Sequence, residues 1–302
     1  MGLTMNNFPD RLLANPQQAF ASARMESPVI TKLARFKHLQ DNDRQALSRI
    51  TGLQRTVAAH TDIIPSGERA AGVRFVMQGY ACQYTVLPDG RRQILALLLP
   101  GDECSAHLSV SAYAEYRLCA LTEVVVSEAP TQAVLPLVEQ HPAIAEALSR
   151  SKQVYEATLH ERITSLGRRT ARERVAHLLC EIFVRSEAIG RTTGLQCVLP
   201  LSQADIADVL GLSLVHTNRS LQGLRADRLV RLESRLLTIL DLPRLQATAQ
   251  FTPGYLRGNA GSDDVVPAPG QSSFHRTVPT KSSMATRPAP AQGEAAWRQR
   301  AA

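Results

Sequence analysis

The stretch Leu201–Arg225, LSQADIADVLGLSLVHTNRSLQGLR, constrains the fold more than any other part of the chain. Ser202 and Asp205 have the spacing of a capping box, in which each side chain satisfies the other's free backbone N–H at a helix start. Ile206, Val209 and Leu210 give the helix one apolar face, with small Ala207 where a second helix can approach closely. Gly211 ends it, since the tight turn needs a residue that tolerates positive φ. Ser213 is placed to cap a second helix, and Leu214, Leu221 and Leu224 continue the apolar stripe. His216, Asn218, Arg219, Gln222 and Arg225 fall mostly on the opposite face. Two short helices so joined predict a helix-turn-helix that offers its second helix to a DNA major groove. An ordinary helical hairpin with a solvated outer face is the alternative.

The 302 residues leave room for two domains with separate cores. Lys and Arg number 34 against 27 Asp and Glu, an excess that suits an anionic partner and equally suits a protein without one. Five cysteines, Cys82, Cys104, Cys119, Cys180 and Cys197, are too scattered for a disulfide framework. With no charged-then-apolar leader and no membrane-length apolar run, a cytoplasmic protein with reduced thiols, and no membrane partner, is expected.

Residues 1–28 are expected to be a partly ordered lead-in, and the Pro, Ser, Gly and Ala-rich tail 258–302 to be disordered. Between them, Leu33, Phe36 and Leu39, then Ala46, Leu47 and Ile50, predict two short helices. From Val57 to Val126 the texture is that of short strands separated by turns. Pro88-Asp89-Gly90 marks a hairpin between Arg74–Leu87 and Arg91–Leu99, because Pro fixes the first turn residue and Gly accepts the left-handed one. Regular short strands predict a β-roll of jelly-roll type over 29–130. A short helix over Thr131–Gln140 should break at Pro142. A longer one should run to about Leu166, with Ile144, Leu148, Ser151, Tyr155, Leu159, Ile163 and Leu166 in steps of three and four. That seam is spaced either to pair with its copy in a dimer or to pack on the chain's own β domain. Thr170 and Glu173 open another helix, and Leu229–Leu232 with Leu236–Leu240 read as the two strands of a wing. The expected class is therefore α+β: a β-roll, a helical linker and dimerisation helix over 131–167, and a winged helix-turn-helix over 168–245.

This order and spacing, from Leu33 to Leu245, resembles the Crp/Fnr family of transcription regulators, in particular members without an assigned effector. The segments that carry the resemblance are GYACQYTVLPDGRRQILALLLPGDEC (79–104), LGRRTARERVAHLLCEIF (166–183) and LSQADIADVLGLSLVHTNRSLQGLRADRLV (201–230). The resemblance implies a homodimer gripping two half-sites of a near-palindromic operator in double-stranded DNA, with RNA polymerase as a further partner. Arg219 matches the family arginine that contacts guanine, and its guanidinium can donate two hydrogen bonds to O6 and N7. Asn218 suits an adenine edge, Val215 a thymine methyl, and Ser202, Ser213, His216, Gln222 and Arg225 complete the DNA-facing set. Thr217 and Ser220 stand where many relatives are apolar, Val215 replaces a common glutamate, and the wing turn Glu233-Ser234-Arg235 lacks the usual glycine.

The effector is unknown from sequence. Cyclic-AMP-binding members carry Gly-Glu and Arg-Ser or Arg-Thr pairs, and the matching positions here are Ser105-Ala106 and Ala112-Tyr113. Without the arginine a buried phosphate lacks a compensating charge, so cyclic AMP is disfavoured, although Arg117 is nearby. No cysteine precedes Cys82, which disfavours the family's N-terminal iron–sulfur cluster. Cys104 and His107 have Cys-x-x-His spacing, but buried cysteines are usually small apolar residues, so a metal or haem site is disfavoured too. No G-x-S-x-G, H-E-x-x-H, Walker or GxGxxG motif supports an enzyme. A protein-binding scaffold is the remaining rival, motivated by Asp205, Asp208 and Asp227 within the helical module.

Overall fold

The computed structural model describes residues 26–64, 67, 72–104 and 116–258. The lead-in up to residue 25, the tail from 259, the pairs Ser105-Ala106 and Ala112-Tyr113, and His107 lie outside the described residues. Two helices come first, α1 (Pro28–Leu33) and α2 (Asp41–Ile50). The first is shifted from its expected place: Pro28, whose ring pre-sets a helical φ, starts it early, and Val29, Ile30 and Leu33 are its buried side chains.

Seven strands follow: β1 (Gln54–Val57), β2 (Asp62–Ile64), β3 (Val73–Gln78), β4 (Ala81–Val86), β5 (Arg92–Leu98), β6 (Arg117–Ala120) and β7 (Val124–Ala129). They form antiparallel sheets of order β1-β7-β3 and β2-β6-β4-β5. The expected hairpin is present, with Leu87 N donating to Arg91 O and Gly90 N to Leu87 O, each at 2.9 Å. Val76, Ala81, Leu98, Leu118, Ala120 and Val126 pack within the roll. Gly101, at φ 90°, lets the turn after β5 touch α1, since a Cβ there would lie 2.5 Å from Pro28 O.

Helices α3 (Thr131–Gln140), α4 (Pro142–Arg168) and α5 (Ala171–Ala188) then lead to a short hairpin, β8 (Thr192–Thr193) and β9 (Gln196–Val198). Next come α6 (Gln203–Leu210), α7 (Leu214–Ala226), the wing strands β10 (Val230–Glu233) and β11 (Leu236–Ile239), and α8 (Leu242–Ala249). The wing joins β8 and β9 in a sheet of order β10-β11-β9-β8. Its turn dispenses with glycine because Ser234 and Arg235 themselves adopt φ of 50° and 63°, the left-handed pair that a two-residue hairpin turn requires. Helix α5 is the core of this half: Val175, Ala176, Leu178, Leu179 and Cys180 are wholly buried.

The long helix α4 is about 40 Å from end to end, and of the expected dimer seam the protomer itself fully buries only the first residue. Ile144 is fully buried in the protomer's own core beside Leu33 and Phe36, so it is not available to a partner. Leu148 packs on the same cluster. Ser151, Tyr155 and Leu159 face a cavity against the chain's own roll, and the Tyr155 hydroxyl donates to Gln83 Oε1 at 2.5 Å. Leu166 is half-buried near Gly211, and Ile163 alone of the seven points outward, at 67% exposure. The seam therefore packs partly within the protomer, and all but Ile144 keep some exposed surface.

Candidate nucleic-acid interface

Both caps of the helix-turn-helix are formed. Ser202 Oγ accepts from Asp205 N at 3.1 Å while Asp205 Oδ2 accepts from Ser202 N at 2.9 Å and from its hydroxyl at 2.6 Å. Gly211 closes α6 at φ 59°, and Ser213 Oγ accepts from His216 N at 3.3 Å. The inward face of α7 is Thr217, Ser220, Leu221 and Leu224. Leu214 is not part of that stripe: it is 55% exposed, because the first turn of α7 projects beyond the body of the domain. Thr217 Oγ1 is buried without a hydrogen-bond partner among the described residues, the cost of a polar residue at an apolar position.

Of the expected contact residues, Val215, Asn218, Arg219 and Gln222 line one open surface concavity along α7. Gln203 and Leu214, which sequence reasoning missed, line it too, and Asn218 Nδ2 donates to Gln203 Oε1 at 3.1 Å. The signal for Gln203 was present, since the residue after an N-cap stands on the first helical turn beside the second helix. Arg219 and Arg225 are exposed and form no ion pair among the described residues. Ser202, Ser213 and His216 are exposed at the two helix starts, their side chains engaged in capping. Arg225 is outside the concavity's lining.

The three aspartates that motivated a protein-binding alternative are already occupied. Arg92, on the roll, donates to Asp205 at 2.6 Å and to Asp208 at 2.7 Å, and neighbouring Gln93 donates to the Asp208 backbone carbonyl at 2.7 Å. Asp227 pairs with Arg172. The Arg92 and Gln93 contacts clasp the β4–β5 hairpin to the first helix of the reader.

A second, buried charge cluster ties the roll to α5. Arg185 donates to Asp102 at 2.6 Å, to Glu181 at 3.0 Å and to the Leu97 carbonyl at 2.8 Å. Lys32 reaches Asp102 at 2.5 Å, and Arg162 of α4 reaches Glu181 at 3.1 Å. Burial alone would raise the Asp102 carboxyl, but Lys32 and Arg185 outweigh it and hold it below the usual carboxylate range. Nearby, His177 stacks on Tyr255 with ring centroids 6.1 Å apart and meets Phe251 edge-on at 5.0 Å. Its Nε2 lies 3.3 Å from Glu161 Oε1 without the alignment of a hydrogen bond. Burial first, and Arg169 next, push His177 down to about 4 against Glu181 and Glu161, so the ring is neutral at ordinary pH. Among the described residues no three His, Cys, Asp or Glu side chains gather to hold a metal, and no helix is long and apolar enough to cross a membrane. Burial raises Cys82 to about 12 and Cys104 in the same direction, which makes both poor thiolate ligands.

A β-roll joined by a long helix to a winged helix-turn-helix, whose second helix displays in an open groove an arginine without an ion pair among the described residues, defines a DNA-binding regulator with an appended sensor-type domain. Residues 54–141 match the cyclic nucleotide-binding domain family and residues 173–248 the Crp-like helix-turn-helix domain. The chain thus carries a cyclic nucleotide-binding domain followed by a Crp-like helix-turn-helix, the two parts of a Crp/Fnr-type transcription regulator. It is 29% identical to the transcriptional activator protein FnrL of Cereibacter sphaeroides over 63% of this chain and 78% of that protein. It is 28% identical to the nitrogen fixation regulation protein FixK of Azorhizobium caulinodans, over 74% of this chain and 90% of that one. Among solved structures, FixK2 from Bradyrhizobium japonicum is similar with a TM-score of 0.58 and 26% identity, covering 65% of this chain and 96% of that one.

Proposed function

We propose that this regulator acts in the cytoplasm as a homodimer on a near-palindromic operator in double-stranded DNA, placing one α7 in the major groove of each half-site. The observation that carries the reading is Arg219: exposed, unpaired among the described residues, and set between Asn218 and Gln222 in the concavity along α7. A guanidinium so placed is free to take a guanine edge with two hydrogen bonds, while Asn218 and Gln222 have amides suited to adenine. Ser202, Ser213, His216 and Arg225 surround that line and supply phosphate contacts that set register. Dimerisation uses the outward side of α4, where Ile163 is exposed. The bound dimer would engage RNA polymerase, and a signal at the roll would gate it.

Genome-wide DNA immunoprecipitation with sequencing yields the operator, and Arg219→Ala tests the contact. The substitution should weaken binding to the recovered site by about 1–3 kcal/mol and relax the preference at one base pair per half-site. An unchanged base preference would remove Arg219 from the reading set. An affinity insensitive to salt would speak against DNA as the partner, since phosphate neutralisation releases counterions.

A further inference from the structure

Gln203 and Asn218 stand 15 positions apart in sequence and meet across the helix-turn-helix, where Asn218 Nδ2 donates to Gln203 Oε1 at 3.1 Å. The Gln203 side chain is not consumed by its own helix, because Ser202 and Asp205 exchange the capping hydrogen bonds between themselves. Asn218 is anchored through its neighbours on α7: Thr217 is wholly buried and Leu221 belongs to the core of the domain. Both amides line the open concavity along α7. Apart from the bond they share, neither side chain has a hydrogen bond among the described residues.

The bond fixes the chemistry that Asn218 presents as well as its place. The terminal torsion of an asparagine is broad and roughly two-fold, so an unrestrained amide offers its oxygen or its NH2 group with little bias. With one Nδ2 proton committed to Gln203, Asn218 keeps one acceptor, Oδ1, and one remaining proton. Adenine shows the complement in the major groove, an acceptor at N7 and a donor at N6. Guanine shows two acceptors there, N7 and O6. A single proton cannot serve both, and Oδ1 would face O6 oxygen to oxygen. The arrangement therefore works as much against guanine as for adenine.

We propose that Gln203 is a positioning residue for DNA recognition, which holds the Asn218 amide in one orientation and so sets an adenine-over-guanine preference at one base pair of each half-site. The inference rests on the reading of α7 as the helix that enters the major groove. It adds a residue of α6 to the specificity machinery without requiring Gln203 to touch a base. Methionine at 203 keeps the length of the side chain and loses the acceptor. Glutamate keeps an oxygen in the place of Oε1 but adds a negative charge that opposes the phosphates.

Selection of sites by the full chain from a pool randomised across the half-site, followed by competition among single-base variants of the recovered site, tests it. Asn218→Ala should mark the base pair that Asn218 reads, as the position where preference falls by about tenfold. At that pair Gln203→Met should lower the ratio of adenine to guanine affinity by about threefold or more. It should leave unchanged the preference at the pair that responds to Arg219→Ala. Gln203→Glu should weaken binding to every sequence alike and retain the ratio. In an Asn218→Ala background, Gln203→Met should remove nothing further at that pair. A Gln203→Met affinity that falls equally for all sequences would make Gln203 a phosphate contact and overturn the proposal, as would an Asn218→Ala protein with no position-specific loss. If the parent selects no preferred sequence, the reading of α7 falls together with this one. If Arg219→Ala relaxes its own base pair and Gln203→Met changes no ratio, the role of Gln203 alone falls.

Discussion

Two sets of arginines in this chain have opposite surroundings. Arg162 and Arg185 lie at the junction of α4, α5 and the roll, with their guanidinium groups bonded to Glu181 and Asp102. Arg219 and Arg225 stand on the outer side of α7 with no ion pair among the described residues. The same side chain serves as internal fastening in one place and as an open contact in the other, and what decides is whether the fold brings a carboxylate within reach. Net charge says nothing about this division. A basic residue marks an interface for an external anion only after the internal acids have been assigned.

The contrast breaks most visibly at Glu181. Glu181→Ala strands the buried Arg162 guanidinium and removes one of two carboxylates from Arg185, so it should cost about 3–5 kcal/mol in chemical denaturation. Arg219→Ala should change the same measurement by less than about 0.5 kcal/mol. If the loss at Glu181 falls below about 1 kcal/mol, the junction arginines are not the fastening their geometry describes.

The acid side of the stability curve sharpens the comparison next. His177 faces Glu161, Arg162, Arg169 and Glu181 and the rings of Phe251 and Tyr255, and stays neutral in the fold down to about 4. Its folded value is depressed, so its contribution is complete above the ordinary value of 6.5 and is lost as pH falls from there toward 4. Glu103 runs the other way: its value is raised from 4.5 to about 7, so the stability it contributes at low pH declines as pH rises through that window. The two slopes offset each other. His177→Gln removes one of them, and between pH 6.5 and 5 the variant should gain about 2 kcal/mol relative to the parent in urea titrations. Parallel curves for the two proteins would mean the His177 ring titrates as it does in water.

The smallest effect belongs to α7's inner face. Thr217→Val replaces a buried, unpartnered hydroxyl with a methyl of similar shape and should stabilise by about 1 kcal/mol. Thermal denaturation would show it, and operator affinity should not move.

What the sequence made legible follows from the range of each interaction. Capping boxes at Ser202/Asp205 and Thr170/Glu173, and the turn at Pro88-Asp89-Gly90, act within four residues, and all three appear in the structure as read. The helix Leu242–Ala249 carries a signal of the same range, since Asp241 caps it and Pro243 stands in its first turn. The strands β8 and β9, two and three residues long, are too short to show any alternation. Leu214 and the α4 seam illustrate the harder limit. Periodicity gave the spacing of Ile144, Leu148 and Tyr155 but not which body they face, because that depends on where the chain folds back. Arg92 and Asp205, 113 positions apart, carry no local mark of their pairing.

Asp205 divides its two oxygens between neighbours: Oδ2 serves the start of its own helix and Oδ1 receives Arg92 from the roll. One carboxylate is thus both a local cap and a long-range tether, so a single substitution at this position strikes the start of α6 and the roll's grip on it together.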